Sequence, residues 1–264
     1  MMPDYETVIL EKIEQYVILY LNRPNSLNSS NMQLSEDLHS SLLYISKNHE
    51  IKAILITGKG KAFCAGGDVS AFKNAKDPSV YMNELADKFH AALKILKTIN
   101  IPTLAVINGA CFGAGLGIAS ACDLRICSVN AKFGSAFTGI GLSPNSSLTY
   151  HLPKIVGLTL SKDMILTNRI LSAEEALHFN FVSRVYDSTD TLLDESKKIV
   201  KKLSEVAPIA FKKARDMIET SFSNDYDTQI KIEIKNIIEC AGTNDFQEGL
   251  RAFFEKSKPN FKGN

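Results

Sequence analysis

Hydrophobic and polar positions along the chain change period several times, and each change predicts an element. Val17-Ile18-Leu19-Tyr20-Leu21 is an unbroken apolar run of strand length, ended by Asn22-Arg23-Pro24-Asn25. Met32, Leu38, Leu42 and Ile45 then recur at helical spacing. That spacing predicts a helix to about Ser46, capped by Asn28, Ser29 or Ser30. A polar link, Lys47-Asn48-His49-Glu50, leads to a second strand over Ala53–Thr57. Tyr81 to Ile99 returns to the helical period through Leu85, Phe89, Ala92, Leu93 and Leu96, and Pro102 opens the strand Thr103–Ile107. Gly113 to Ala121 reads as a helix packed too tightly for large side chains, followed by the strand Leu124–Cys127. Strand–helix alternation at this spacing predicts an α/β fold with a parallel or mixed sheet.

From about Ser161 the character changes. Ser172-Ala173-Glu174-Glu175 starts a helix in the manner of a capping box. Leu192–Leu203, Ile209–Phe222 and Asp227–Cys240 follow as amphipathic helices, separated by Pro208 and by Asn224-Asp225. No low-complexity linker divides the chain. The expected organisation is one structural unit, an α/β core over 1–195 with a helical region over 196–264.

Two strand exits carry the candidate chemistry. Ala62-Phe63-Cys64-Ala65-Gly66-Gly67-Asp68 follows the strand at Ala53–Thr57, and Asn108-Gly109-Ala110-Cys111-Phe112-Gly113-Ala114-Gly115 follows the one at Thr103–Ile107. Glycine after a strand lets backbone approach a ligand and turn its N–H groups outward. Two such exits could aim two donors at one oxygen, the geometry of an oxyanion hole.

Composition narrows the field. Of 264 residues 45% are hydrophobic and 22% charged, with net charge +1, as in an ordinary globular protein of enzyme size. A balance so near neutral argues against nucleic acid as a partner. Asp4, Glu6, Glu11 and Glu14 near the start do not form a basic segment ahead of an apolar one, so no leader is expected from them. The most apolar stretch, Leu104 to Cys122, contains Asn108 and four glycines, so no membrane partner is expected. Five cysteines without Cys-x-x-Cys spacing argue against disulfides and zinc, and suggest a reducing, cytoplasmic setting. Five histidines without an i, i+4 pair leave no metal site in view.

With those residues in place, the chain resembles the crotonase superfamily, the enoyl-CoA hydratases and isomerases. The resemblance rests on Leu21-Asn22-Arg23-Pro24, Phe63-Cys64-Ala65-Gly66-Gly67-Asp68, Ile107-Asn108-Gly109 and Gly113-Ala114-Gly115. It continues through Ala121-Cys122-Asp123-Leu124, Lys132-Phe133-Gly134, Gly139-Ile140-Gly141-Leu142 and Glu248-Gly249-Leu250-Arg251-Ala252-Phe253-Phe254. It implies a ββα spiral core with a helical C-terminal trimerisation region, assembled as a homotrimer or hexamer. It implies an acyl-CoA thioester as substrate, stabilised as an enolate, with no cofactor beyond the coenzyme A of that substrate. Gly67 and Ala114 would supply the oxyanion N–H groups, and carbonyls over Ala65, Gly66, Gly67, Asp68 and Val69 would hold the adenine. Arg23 would meet the CoA phosphates, and Lys256 would complete that pocket from a neighbouring subunit.

The same resemblance implies where an acid and base should stand. Hydratases of this kind use two glutamates; here those positions are Gly117 and Phe137. The isomerases and the 4-chlorobenzoyl-CoA dehalogenases place one carboxylate later, where Gly141-Leu142-Ser143-Pro144-Asn145 offers Asn145. An amide can hydrogen-bond a substrate but cannot shuttle a proton. The expectation is therefore an acyl-CoA enzyme nearer the isomerases than the hydratases, or an acyl-CoA binder that has lost its base. Other candidates are Cys64 and Cys111 as core residues, Asp68 and Asp123 as turn holders, His151 near the pocket and Glu84 on a mobile loop. Phe72, Tyr81, Leu85, Phe89, Phe137 and Leu142 are expected to line the acyl pocket. An Asn145→Asp change is expected to place a carboxylate there with its pKa raised by desolvation.

Overall fold

The computed structural model describes residues 2–264. Its main sheet has six strands: β1 (Val8–Ile13), β2 (Tyr16–Leu21), β3 (Ala53–Gly58), β5 (Thr103–Ile107), β7 (Leu124–Ser128) and β10 (Val185–Tyr186), in that spatial order. β1 and β2 form an antiparallel hairpin; every later neighbour is parallel. A second sheet stacks the short strands β4 (Ala62–Cys64), β6 (Ala110–Phe112), β8 (Lys132–Gly134) and β9 (Leu171–Ser172). β3, β5 and β7 are thus each followed at once by a strand of the small sheet, the spiral that the resemblance implied.

The apolar strand runs follow from burial on both faces. Val17, Leu19, Ile54, Ile56, Ala105 and Ile107 point into the larger core, with helices α1 (Met32–Lys47), α3 (Pro78–Thr98) and α4 (Ala114–Ala121). Ile18, Tyr20, Leu55, Leu104, Val106 and Ile126 point to the opposite face, where α7 (Thr189–Ser204) brings Leu192 and Val200. Each buried Val, Leu or Ile among them contributes roughly 1.5–3 kcal/mol.

Local signals set the helix ends. Asn31 caps α1 by accepting the Leu34 N–H, at 3.0 Å. The expected cap Asn28 is instead buried, its amide donating to the Lys59 and Ala62 carbonyls. Ser172 and Glu175 form the expected capping box of α6 (Ala173–His178). The expected division at 195/196 falls inside α7, which packs on the main sheet. The helices beyond it are α8 (Pro208–Thr220), α9 (Tyr226–Ala241) and α10 (Asn244–Glu255), none of them contributing more than two fully buried residues. Helix α5 (Leu148–Leu166) has no counterpart in the sequence reading; it carries Pro153 and breaks at Gly157, where φ is +79°.

Candidate active site

Two strand exits abut. β4 and β6 run parallel, with Cys64 paired to Cys111. Beyond them Gly66 has φ +114° and Gly113 φ +46°, conformations that L side chains rarely adopt. A Cβ placed on Gly113 would lie 3.4 Å from the Gly66 Cα, so the two backbones leave almost no room for side chains between them. Gly115 seats α4 on β4: a Cβ there would meet the Cys64 carbonyl at 2.2 Å.

These turns leave two N–H groups unengaged. Ser30 bridges Gly67 in parallel, its N–H donating to the Gly66 carbonyl at 2.7 Å and its carbonyl accepting from the Asp68 N–H at 2.9 Å, so the Gly67 N–H itself is not used. Ala114 is the first residue of α4, where no carbonyl one turn back can accept its N–H. Among the described residues neither N–H has an acceptor. The N-terminus of α4 adds its partial positive charge at the same turn.

Gly67 lines a cavity of about 580 Å³, with Phe72, Met82 and Ala86 on one side and Ala136, Phe137 and Leu142 on the other. The Phe72 ring lies directly over Gly67, where a Cβ would come within 2.5 Å of it. Ala114 is buried and does not itself line the cavity; its neighbour Gly113 stands against the Phe137 ring, 3.6 Å from where a Cβ would lie. The remaining polar wall is Ser79, Asn83, Ser143 and Asn145, and no lining side chain is ionisable.

Asn145 is held from behind. Its Oδ1 accepts from His90 Nε2 at 2.5 Å, and Ser147 Oγ stands 3.5 Å from His90 Nδ1. With Asn145 Oδ1 as the acceptor, Nε2 is the donating nitrogen and Nδ1 faces the serine hydroxyl. Asn145 therefore spends its oxygen on His90 and keeps its Nδ2 donors, which have no partner among the described residues. Ser146 and Ser147 both sit in the left-handed region, φ 57° and 60°, as does Ala136 at 57°. Such backbone clusters at functional sites.

Ser146 also explains the glycine at 117. A Cβ on Gly117 would meet both the Ser146 Cβ and its carbonyl oxygen at 2.5 Å. The space that a longer side chain at 117 needs is filled by the segment after Asn145.

Several expected residues stand elsewhere. Arg23 is committed inside the chain, donating to the Ser29 carbonyl and to Asp68 Oδ2, the latter at 3.0 Å with both side chains largely buried. Asp68 in turn caps α2 (Val69–Asn74) through the Ala71 N–H. Lys256 ends α10 in a left-handed conformation and does not line the cavity in the single chain. Glu84 is exposed on helix α3 rather than on a loop. Leu85 and Phe89 face the core, and Tyr81 packs on Phe72 with ring centroids 6.1 Å apart. His151 is 7% exposed and lines a separate cavity. Burial raises the Cys64 thiol to about 11 and Cys111 well above its ordinary value, so neither is a nucleophile at neutral pH. Asp123 ties the start of β5 by accepting from the Thr103 N–H and hydroxyl, both at 2.8 Å.

From sequence His90 was only one of five histidines without a ligand pair, and was given no place at the site. The readable signal was a stripe on α3: Ser79, Asn83, Ala86 and His90 recur at helical spacing on the side away from Leu85, Phe89 and Leu96.

Paired strands wound into a spiral, with two abutting glycine turns that leave backbone N–H groups free, define the class of fold. The model of the enoyl-CoA hydratase/isomerase family matches residues 12–264, and the chain belongs to that family. It is 31% identical to a crotonyl-CoA hydratase of Syntrophomonas wolfei over 97% of this chain and 98% of the relative. It is 32% identical to a short-chain-enoyl-CoA hydratase of Clostridium acetobutylicum over 97% of both. Among solved structures, an enoyl-CoA hydratase of Bacillus anthracis superposes with a TM-score of 0.92 at 28% identity, over 98% of this chain and all of the other. The α/β crotonase fold is thereby shown. No helix among the described residues is long and apolar enough to cross a membrane.

Proposed function

We propose that the protein binds an acyl-CoA thioester with its carbonyl oxygen between the N–H groups of Gly67 and Ala114, and stabilises the enolate that forms there. The observation that carries this reading is the pair of unengaged donors at abutting glycine turns, one of them on a helix N-terminus. An oxyanion donor of this kind contributes roughly 3–4 kcal/mol to a transition state. The backbone carbonyls from Ala65 to Val69 hold the adenine, and the apolar wall of Phe72, Met82, Phe137 and Leu142 takes the acyl group.

The reaction is nearer to double-bond isomerisation than to hydration. Activating a water by two carboxylates needs side chains that Gly117 and Phe137 do not have, and Ser146 occupies the room at 117. The relatives named above are hydratases, so the two activities must be assayed side by side. Hydration of crotonyl-CoA, isomerisation of a 3-enoyl-CoA and binding of a saturated acyl-CoA make the set. Isomerisation exceeding hydration supports the reading, and hydration at an enzyme-like rate overturns it.

A second reading, an acyl-CoA binder without turnover, is favoured by the lack of any ionisable side chain on the cavity wall. Binding without α-proton exchange in D₂O selects it. Either way the protein assembles as a trimer or hexamer, a reading supported by Ile237, Phe253 and Phe254 on α9 and α10, which are 71–77% exposed.

A further inference from the structure

A second cavity, of about 440 Å³, lies between the C-terminal end of α4, the first turns of α5 and the face of α8, and shares no residue with the first. Its body is apolar, walled by Leu124, Ile155, Leu203, Phe211 and Ile218. Two polar groups in that wall are without partners. Ser120 is 3% exposed and its hydroxyl makes no hydrogen bond. His151 is 7% exposed, and its ring has no hydrogen-bond partner among the described residues, only the edge of Tyr150 against it. A buried hydroxyl left unpaired is costly and calls for an occupant that satisfies it, and the His151 ring beside it has both nitrogens free to take part.

The charge around the cavity gives that occupant a sign. Four cationic side chains, Lys97, Arg125, Lys154 and Arg215, line it against two carboxylates, Asp123 and Glu219. Lys97 pairs with Glu219, and Arg215 donates to the Ile99 carbonyl at 2.6 Å and stands 3.9 Å from Asp123. Arg125 has only carbonyl partners, Phe181 and Cys122, both at 2.8 Å. Lys154 lies over the Tyr150 ring at 3.4 Å and has no carboxylate. Burial, and after it the nearby Lys97, lowers the His151 pKa to about 4 and keeps the ring neutral, so it can donate through one nitrogen and accept through the other.

We propose that this cavity binds an amphiphilic carboxylate, a free medium-chain fatty acid, with its tail among the apolar side chains and its head toward Ser120, His151 and the unpaired cations. The site is distinct from the thioester site, and α4 runs between them, from Ala114 at its first residue to Ser120 in its last turn.

Calorimetric titration with decanoate, with 1-decanol as the uncharged control, tests this on the assembled protein. Saturable binding of decanoate is expected, with decanol weaker by about tenfold or more, the size of a lost charge-assisted contact. Lys154→Met and Ser120→Ala should each weaken decanoate several-fold. Ala214→Trp, placed on the exposed side of the mouth, should block the cavity while thermal melting shows the fold intact. Saturating octanoyl-CoA should leave decanoate binding unchanged. Absence of binding at about 1 mM, the weak end of specific affinity, overturns the proposal. So does competition by octanoyl-CoA, insensitivity to Ala214→Trp, or a crystal structure in which a neighbouring copy's side chain fills the cavity.

Discussion

The two cavities differ in what they are made of. The cavity proposed for the thioester presents backbone N–H groups and neutral side chains, and not one ionisable residue reaches its wall. The second cavity presents four cations, two carboxylates, an unprotonated histidine and an orphan hydroxyl. A search guided by perturbed side chains alone would select the second cavity and pass over the first. Stabilising an enolate needs oriented donors rather than a titrating group, and backbone donors at fixed glycine turns cost no reorganisation when the charge develops. The acid and base that would choose the reaction are a separate requirement, met or not by side chains that a loop can exchange.

Removing a backbone donor should have the largest effect. Ala114 is the first residue of α4, a position where proline fits a helix well. Ala114→Pro should therefore fold normally and lose turnover, or α-proton exchange, by roughly 10²–10³-fold. Retention of full activity by a folded variant would falsify the donor assignment.

The second cavity should reveal itself through pH. Burial and nearby Lys97 push the His151 pKa down to about 4, against 6.5 for the free side chain. The folded state resists a proton that the unfolded chain accepts, so stability is full above about pH 6.5 and falls as pH drops toward 4. The loss should reach up to about 3 kcal/mol. His151→Phe should flatten the denaturation midpoint over that window; an unchanged slope would show that the ring is hydrated. No lining group of the thioester site should contribute such a slope.

Gly117→Glu tests whether the missing hydratase carboxylate is absent by chance or excluded. Its Cβ would strike Ser146, so the variant should lose about 1–3 kcal/mol as an overpacked core does, and gain no hydration. Pairing it with Ser146→Gly should recover part of the stability. Hydratase activity from the single variant would show that the segment after Asn145 yields more easily than its packing implies.

Much of this was legible in the chain. The strand runs at Val17–Leu21 and Thr103–Ile107 were readable because both of their faces are buried, and the glycine turns because Gly66 and Gly113 adopt backbone that L side chains rarely take. The fate of Arg23 was not legible: its partner Asp68 lies 45 residues away, and a surface cation and a buried one look alike in sequence. Helix α5 was hidden by Pro153 and Gly157, which usually mark a break. His90 escaped because its meaning depends on Asn145, 55 residues on, and only the fold brings α3 against that segment.

That contact also changes what Asn145→Asp should do, the smallest effect expected here. From sequence, a carboxylate in an apolar pocket should have a raised pKa and gain isomerisation by the 10²–10⁴-fold typical of a general base. In the structure the His90 Nε2–H already points at Oδ1, so a carboxylate at 145 inherits a donor that favours its charged form. Its pKa should be held low, and the single variant should gain no more than about tenfold, well short of a full general base. His90→Phe in the same chain removes the donor, restores desolvation as the dominant influence and should release the larger gain. Measuring 3-enoyl-CoA isomerisation against pH separates the cases. The double variant's activity should rise at a higher pH than the single variant's, because its carboxyl group ionises later. Identical profiles would mean that His90 does not govern the group at 145, and that its contact with Asn145 is packing alone.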